Sequence, residues 1–442
     1  MSDLFVQGGR VVTNGAVRDA DILIRDGRIE SVTPSGTATA PEGVPDVDAT
    51  GLLVFPGMVD PQVHFREPGL THKEDLASGS LAAVAGGVTS FMEMPNTTPN
   101  TVDPDALTDK LDRASGRVHA DHAFFLGATA ENAERLEEWE QLPGCAGVKV
   151  FMGSSTGTLL IADDETLERV LRSGSRRVAV HSEDEDRLRK RYGALKPGTP
   201  VSEHPNIRDV ETAVRATTRL LNLVEKTDRK IHLLHVSTAE EVAILRERDL
   251  GDLVTAEVTP NHLFLTAPDC YETHGALVQM NPPVRDVRHR DAIRQGLVDG
   301  VIACIGSDHA PHAREEKARP YPQSPSGIPG VQTILPLLMT AVRDGWLTID
   351  DVLRVGSSAA ARVYGIAGKG AITPGNDGDL VLFDEAVQEP LPLGWLRSKA
   401  GYSPYEGLDL AGWPRTTILA GSVIYDRHEV VGEASGRALR FV

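Results

Sequence analysis

Cysteine is scarce in this chain, and the three cysteines, Cys145, Cys270 and Cys304, lie far apart in sequence. Three scattered thiols cannot form a disulfide framework or a cysteine-based zinc site. Basic residues are also few, since 45 lysines and arginines against 63 acidic residues give a net charge of −18. This balance excludes the basic surface that nucleic-acid binding requires. We therefore expect a reducing, cytoplasmic location and no nucleic-acid partner.

Long hydrophobic runs and nucleotide-binding motifs are missing as well. No apolar stretch is long enough to span a bilayer, and the start "MSDLFVQGGR" lacks the charged-then-apolar pattern of a signal peptide. The glycine-rich segment "GKGAITPGNDG" lacks the strand-loop-helix context of a phosphate loop. The remaining composition, 40% hydrophobic over 442 residues, is that of a globular protein long enough for a large barrel with an appendage. We expect no contact with membranes.

Both ends of the chain have the pattern of short antiparallel strands. "VVTNGAV" and "ILIRDGRIESV" place Asn-Gly or Asp-Gly between β-branched runs, which predicts hairpins. "DGDLVLFD" and "TTILAGSVIYD" near the other end are similar. We predict one small β-sandwich domain built from residues 1–54 and 371–442.

The middle of the chain alternates short apolar runs with segments of helical periodicity. Eight such runs occur: "MVDPQVHF", "VTSFMEMP", "HAFFLGAT", "GVKVFM", "RVAVHSE", "IHLLHVS", "LVTAEVTP" and "GVIACIGSD". Alternating strands and helices predict parallel strands, and eight units favour a closed (β/α)₈ TIM-like barrel over residues 55–370. An open doubly wound sheet is the alternative, because periodicity does not reveal closure.

Polar residues are concentrated at the C-terminal ends of these predicted strands. In a (β/α)₈ barrel those ends share one face, where active sites lie. Imidazole and carboxylate are suitable ligands for a divalent first-row metal such as zinc, and the absence of cysteine among them favours a catalytic site. The residues so placed are His64, Arg66, Asn96, Lys149, His181, His235 and Asp308.

Lys149 is unusual because it lies within the apolar strand "GVKVFM". Burial lowers the pKa of a lysine and leaves a neutral, nucleophilic amine. Such an amine can take up carbon dioxide to form a carbamate, which can bridge two metal ions as a carboxylate does. The alternative is a lysine that extends to solvent or pairs with a carboxylate.

These motifs resemble those of a known family. "DPQVHFREPGLTHKED", "GGVTSFMEMPNTTP", "GVKVFMGSSTG", "VAVHSED", "HLLHVST", "MNPPVR" and "GSDHAPH" are similar to segments of dihydroorotases of the amidohydrolase superfamily. The resemblance covers about residues 55–330. It implies reversible cyclisation of N-carbamoyl-L-aspartate to L-dihydroorotate, a step of de novo pyrimidine biosynthesis.

The resemblance also implies a metal centre. His64 and Asp308 match ligands of the more buried metal, and His181 and His235 match those of the second. Lys149 matches a lysine that is carboxylated in many members and bridges the pair. The expected cofactor is one or two zinc ions per subunit, with other divalent metals as alternatives. A metal-bound hydroxide would attack the ring amide while Asp308 accepts and returns a proton.

Further positions match substrate-binding groups of the family. Arg66, Asn96 and His312 match groups that hold the substrate carboxylate, which suits a guanidinium fork. Asn281 matches a position near the pyrimidine ring. Thr156, in the loop "GSSTGT", is a candidate for closing over the substrate; the alternative is an ordinary solvent-exposed turn.

Gln62 departs from the family pattern, because most members have histidine there. A glutamine oxygen is a weaker ligand for a zinc-like ion than imidazole. Either Gln62 orients a ligand of an intact site, or the buried site is weak and catalysis depends on the metal held by His181 and His235.

Two other functions stay open at this point. A sister amidase acting on dihydropyrimidines, hydantoins or allantoin would share the metal site but lack the carboxylate-binding cluster. An inactive paralogue would serve as a scaffold for aspartate transcarbamoylase, a reading that only Gln62 favours. We expect a homodimer with a small-molecule substrate, and we expect His262 and His309 to be structural.

Overall fold

The computed structural model describes residues 2–13, 15–155 and 157–442 and shows a barrel with a separate sheet. The strands in these residues are β1 (Leu4–Thr13), β2 (Ala16–Arg25), β3 (Arg28–Pro34), β4 (Asp46–Asp48), β5 (Leu53–Pro56), β6 (Met58–Val63), β7 (Val88–Glu93), β8 (Asp121–Gly127), β9 (Cys145–Phe151), β10 (Val178–His181), β11 (Ile231–Leu233), β12 (Val254–Val258), β13 (Cys304–Ile305), β14 (Leu380–Pro390), β15 (Asp409–Leu419), β16 (Ser422–Asp426) and β17 (Glu429–Val430).

Strands β6 to β13 form the barrel. They follow one another in sequence order across an eight-stranded sheet, and every neighbouring pair is parallel. The two edges meet through a parallel bridge between Val63 and His309, with the His64 amide donating to the His309 carbonyl at 2.7 Å. The eight apolar runs therefore correspond to the eight strands, and the predicted barrel is confirmed.

The remaining strands form one mixed sheet from both ends of the chain. Its order is β17-β16-β15-β14-β5-β1-β2-β3, with β4 beside β1. The predicted hairpins are present, since β1, β2 and β3 pair antiparallel, as do β14, β15 and β16. The last residues leave this sheet and return to the barrel, where Ala438 bridges His122 and Phe441 bridges Ile366. The domain boundaries given above stay a prediction.

The helices lie between the barrel strands and after them. Asp75, Asp163 and Asp209 each accept a backbone N–H of the following helix, which satisfies donors that a helix start leaves free. The helices in the described residues are α1 (Leu76–Ala85), α2 (Pro104–Ala114), α3 (Leu136–Trp139), α4 (Asp164–Arg172), α5 (Glu185–Gly193), α6 (His204–Ile207), α7 (Val210–Thr227), α8 (Ala239–Arg248), α9 (Pro260–Phe264), α10 (Asp269–His274), α11 (Val287–Val298), α12 (Arg314–Lys317), α13 (Ile334–Arg343), α14 (Ile349–Leu353) and α15 (Ala359–Tyr364). Among them, none combines the length and hydropathy that crossing a bilayer requires.

A buried lysine links the barrel to the small sheet. Lys369 Nζ lies 2.6 Å from Asp121 at the start of β8, and 3.0 and 2.5 Å from Asp377 and Asp379, which lead into β14. Burial disfavours the ammonium, but the three carboxylates raise the pKa of Lys369 above its ordinary value. The cluster therefore holds two parts of the chain together through buried charge.

Replacing Lys369 with methionine should destabilise the protein by about 3–5 kcal/mol, because three buried carboxylates lose their counter-charge. Urea titration of the free energy of unfolding measures this loss. Lys226→Met is the matched control, since it removes a half-exposed pair with Glu168 worth about 1 kcal/mol or less. Equal losses in the two variants would contradict the buried-cluster explanation.

Candidate active site

The predicted site residues converge at the C-terminal ends of the barrel strands. One narrow cavity there is lined by nine of them: Gln62, His64, Arg66, Asn96, Lys149, His181, His235, Asn281 and Asp308. His312 lies outside this lining, behind Arg66, and Thr156 lies outside the described residues.

Three of these residues have a strained backbone. Arg66, His235 and Asp308 have φ values of 65°, 36° and 46°, in the left-handed region that residues with a side chain seldom adopt. Each such conformation costs of order 1–3 kcal/mol and is found most often at functional sites. All three lie two or three residues beyond the end of a barrel strand, and all three line the cavity.

The cavity holds a cluster of four ligand-type side chains, and His181 and His235 form one half of it. His181 Nδ1 lies 3.0 Å from His235 Nε2, and His181 Nε2 donates to Glu183 Oε2 at 2.9 Å. The bond to Glu183 fixes the tautomer, so that the Nδ1 lone pair faces His235. Burial lowers the pKa of both histidines, so both are neutral and able to bind a cation.

Glu183 is in turn held by a buried arginine. Arg208 forms an ion pair with both oxygens of Glu183, and Arg208 Nε lies 3.0 Å from Oε1. Burial opposes ionisation of Glu183, but Arg208 and His181 hold its pKa below the ordinary range. The carboxylate is therefore charged and orients the His181 ring.

His64 and Asp308 form the other half. His64 Nδ1 donates to Asn96 Oδ1 at 2.8 Å, which leaves its Nε2 lone pair facing Asp308 Oδ1 at 3.1 Å. Burial lowers the pKa of His64 to about 4, so the ring is neutral. Two electron-pair donors that face each other at this distance are stabilised by a cation between them.

Gln62 contacts Asp308 from the side. Its Nε2 donates to Asp308 Oδ1 at 3.2 Å, whereas its Oε1 has no hydrogen-bond partner in the described residues. This contact agrees with the first of the two outcomes considered for Gln62, in which the amide orients a neighbouring ligand.

Lys149 lies between the two halves with an unsatisfied amine. Its Nζ is buried and has no hydrogen-bond partner in the described residues, and it lies 4.5 Å from the centre of the Phe151 ring. Burial lowers the pKa of Lys149 to about 7. A large neutral fraction therefore exists at neutral pH, as carbamate formation requires.

The donor set fits a divalent metal ion. Two neutral imidazoles face each other, a third faces a carboxylate, and the buried Lys149 amine has no hydrogen-bond partner within the part of the chain that the structure describes. Imidazole and carboxylate ligands without cysteine are typical of catalytic zinc sites. His64, His181, His235 and Asp308 could hold such an ion directly, and Lys149 could do so as its carbamate.

Arg66 supplies fixed positive charge beside this cluster. Burial lowers its pKa only to about 10, so the guanidinium stays charged at neutral pH. Its Nε donates to the Pro311 carbonyl at 3.2 Å, and its Nη2 lies 3.3 Å from His312 Nε2. His312 donates to the Ser326 carbonyl and accepts from Lys73 Nζ at 3.1 Å. In this arrangement His312 supports the arginine side of the cavity from behind.

The part of the cavity wall next to His312, at Ser326 and Gly327, depends on a second buried lysine. Lys317 Nζ donates to the carbonyls of Gln279, Pro325 and Gly327 at 2.9 to 3.0 Å, which uses all three of its protons. Gly327 itself has a φ of 147°, and a Cβ there would lie 2.2 Å from the Ala310 carbonyl oxygen. Only glycine fits at this part of the wall.

The sequence patterns did not predict four of these supporting residues: Lys73, Glu183, Arg208 and Lys317. Glu183 follows His181 by two positions in "VAVHSED", the spacing that places two side chains on one side of a strand, so this signal was available. The other three lie outside the barrel strands, and no local pattern connects them to the site. The predicted structural histidines both have hydrogen bonds: His262 with Thr259 and Pro282, and His309 with Gly330.

Replacing Glu183 with glutamine should weaken metal binding by about 10- to 100-fold, because the amide holds the His181 tautomer less firmly. Competition with a chromophoric chelator measures the affinity without reference to turnover. Glu211→Gln, which changes an exposed carboxylate on α7, is the control. Unchanged affinity in a folded Glu183→Gln protein would show that Glu183 does not orient a ligand.

The chain is similar to known proteins along almost its whole length. The chain is 36% identical over 437 residues to a dihydroorotase of Methanosarcina acetivorans, covering 96% of this chain and 92% of that protein. It is 35% identical over 455 residues to an allantoinase of Solibacter usitatus, covering 100% and 97%. The structure is similar to an L-hydantoinase (dihydropyrimidinase) from Arthrobacter aurescens, with a TM-score of 0.93, 26% identity and coverage of 99% and 100%.

A family model also matches most of the chain. The model of the Amidohydrolase family matches residues 53–424, which include every barrel strand and all the cavity-lining residues described above. Together with relatives above 30% identity along almost the full length, this match shows that the chain belongs to the Amidohydrolase family.

Proposed function

We propose that the chain is a dihydroorotase, which interconverts L-dihydroorotate and N-carbamoyl-L-aspartate. Its relatives and structural neighbours carry the names dihydroorotase, allantoinase and hydantoinase. Each name refers to a compound that contains a cyclic amide. Hydrolysis of a cyclic amide is thus the reaction class. The observation that favours dihydroorotate within this class is the buried Arg66 guanidinium, which lines the same cavity as the histidine cluster.

The substrate carboxylate accounts for this buried charge. Dihydroorotate carries a carboxylate that hydantoin, allantoin and dihydropyrimidines lack. An uncompensated buried guanidinium is costly, and a bidentate carboxylate is its best-matched partner. Arg66 would bind the carboxylate, with Asn96 beside it and Lys73 and His312 supporting it from behind. Asn281 also lines the cavity, and we expect it to face the ring.

Asp308 carries the proton transfer. A bound divalent ion lowers the pKa of a coordinated water and polarises a carbonyl, which is the chemistry that amide hydrolysis requires. In hydrolysis Asp308 accepts a proton from the attacking water and delivers it to the ring nitrogen as the C–N bond breaks. In cyclisation Asp308 takes a proton from the ureido nitrogen as that nitrogen attacks the carboxyl carbon, and a water molecule leaves. Gln62 and His64 hold the Asp308 carboxylate in place for both proton transfers.

The cofactor and partners follow from this proposal. We expect zinc, one or two ions per subunit, with Lys149 carboxylated between them. A homodimer, association with aspartate transcarbamoylase and a cytoplasmic location stay predictions of the resemblance.

Turnover on a set of cyclic amides tests the proposal. Metal-replete protein should hydrolyse dihydroorotate and cyclise N-carbamoyl-L-aspartate, followed by ultraviolet absorbance, and should leave hydantoin, dihydrouracil and allantoin unchanged. Turnover of those neutral rings alone would make the protein a sister amidase. A protein that binds no metal and hydrolyses none of these rings would instead indicate the scaffold function.

Replacing Arg66 with alanine should raise KM for dihydroorotate by about 10- to 150-fold, because a hydrogen bond to a charged group contributes about 1.5–3 kcal/mol. Steady-state kinetics separates KM from kcat. Arg66→Lys keeps the charge but not the fork, so it should recover only part of the affinity. An unchanged KM in Arg66→Ala would exclude Arg66 as the carboxylate ligand.

A further inference from the structure

A second group of metal-ligand side chains lies deeper in the barrel than the catalytic cavity. In the described residues, His232, Glu257 and Cys304 are the group of this kind whose ligand atoms all lie within 4.8 Å of one another. They come from β11, β12 and β13, which are neighbours in the sheet. His232 and Cys304 lie within their strands, whereas His235 and Asp308 follow the strand ends. None of the three residues of the group is among the described residues that line the cavity. The group is therefore separate from the cavity.

The contacts of His232 point one ring nitrogen into this group. His232 Nδ1 lies 2.7 Å from Thr255 Oγ1, which also lies 3.4 Å from the Ile231 carbonyl oxygen. The other ring nitrogen, Nε2, lies 3.1 Å from Glu257 Oε2 and 3.9 Å from Cys304 Sγ. An imidazole nitrogen and a carboxylate oxygen at this distance need a proton or a cation between them.

The buried carboxylates in and around this group also favour a bound cation. All three side chains are 0% exposed, and Glu257 Oε1 has no hydrogen-bond partner in the described residues. Asp60 is also buried, and among the described residues its Oδ2 has no hydrogen-bond partner. Burial and the neighbouring Asp60 carboxylate raise the pKa of Glu257, so its ionised form needs positive charge beside it. Buried carboxylate oxygens without a partner are costly. A single proton would satisfy only one contact, whereas a bound cation would interact with several of these oxygens at once.

We propose that His232, Glu257 and Cys304 form a second metal site, inside the barrel, that binds a borderline divalent ion such as zinc. Zinc bonds of about 2.0–2.1 Å to nitrogen or oxygen and about 2.3 Å to sulfur allow one ion to reach all three ligands, because the 3.1 and 3.9 Å separations are shorter than the sums of two such bonds. A thiolate, an imidazole and a carboxylate suit this class of ion. The site would join three adjacent strands, and it does not depend on the proposed dihydroorotase activity.

Cobalt substitution distinguishes this site from the catalytic cavity. Sulfur bound to Co²⁺ gives a charge-transfer absorption in the near ultraviolet, whereas no cysteine or methionine lines the cavity. The full-length protein is produced in zinc-depleted medium with Co²⁺, because the site is fully buried and the ion must enter as the chain folds. We expect the thiolate band in the wild type, and about one cobalt fewer per chain without the band in Cys304→Ser.

Matched variants decide the origin of the band. Cys145→Ala and Cys270→Ala should keep it, since those thiols lie outside the group. Glu257→Gln should lose cobalt from this site while circular dichroism shows a folded barrel, and it decides the matter if Cys304→Ser does not fold. A wild type without the band would overturn the proposal, because a shared proton would then satisfy His232 and Glu257. A band that persists in Cys304→Ser or Glu257→Gln would overturn it as well.

Discussion

Replacing Asp308 with asparagine is expected to abolish turnover in both directions, with losses of about 10³-fold or more. Asparagine keeps the size of aspartate and an oxygen for the contacts with Gln62 and His64. It cannot accept a proton, and a positioned general acid-base group contributes about 10²–10⁴-fold to the rate. A factor of 10³ corresponds to about 4 kcal/mol of transition-state stabilisation.

Metal content decides how an inactive Asp308→Asn protein is interpreted. The variant is measured alongside Asp308→Ala for hydrolysis, for cyclisation and for metal per chain. Inactivity at wild-type metal content supports the proton transfer, whereas inactivity with metal loss supports a ligand role alone. Near-normal turnover in either variant would exclude Asp308 as the proton carrier.

Replacing Lys149 with alanine is expected to remove both the metal and the activity. Among the described residues the buried amine has no hydrogen-bond partner, so the substitution breaks no hydrogen bond outside the cluster. Short-chain carboxylic acids such as acetate or propionate should restore part of the metal content and turnover, because their carboxylate can occupy the position of the carbamate. Elemental analysis and steady-state rates, each with and without the acid, measure the effect.

Lys149→Met is the matched control for this rescue. Methionine has a similar length without an amine, so the variant should fold, lose metal and resist rescue because its side chain fills the space. Full metal occupancy in Lys149→Ala would contradict the carbamate. Equal rescue of the two variants would show that the acid acts elsewhere.

The sequence predicted the strands and the composition of the site for physical reasons. Alternating polar residues at a strand end point in one direction, and parallel barrel strands present their C-terminal ends on one face. His64, His181, His235 and Asp308 could therefore be placed at one rim without knowledge of the loops. The hairpin signals at both ends of the chain were equally local, because Asn-Gly and Asp-Gly favour turns by themselves.

Other features depended on contacts between residues far apart in sequence. The pairing of Glu183 with Arg208 and the position of His312 behind Arg66 are set by loop paths that no periodicity encodes. The group of His232, Glu257 and Cys304 is similar. The cysteine count predicted that no cysteine-based zinc site forms, whereas a mixed site needs only Cys304, and the strand registers bring His232 and Glu257 to it.

The sequence by itself determined the order of strands and helices, the ends of the chain that form the small sheet, and the residue types available at the rim. The tertiary structure decided which atoms face one another: the His181 lone pair toward His235, the Gln62 amide toward Asp308, and the Lys149 amine toward no partner in the described residues. The reason is that side-chain type and strand period are local properties. Distances across a barrel lumen depend instead on closure, register and loop conformation, which arise only when all the strands pack together.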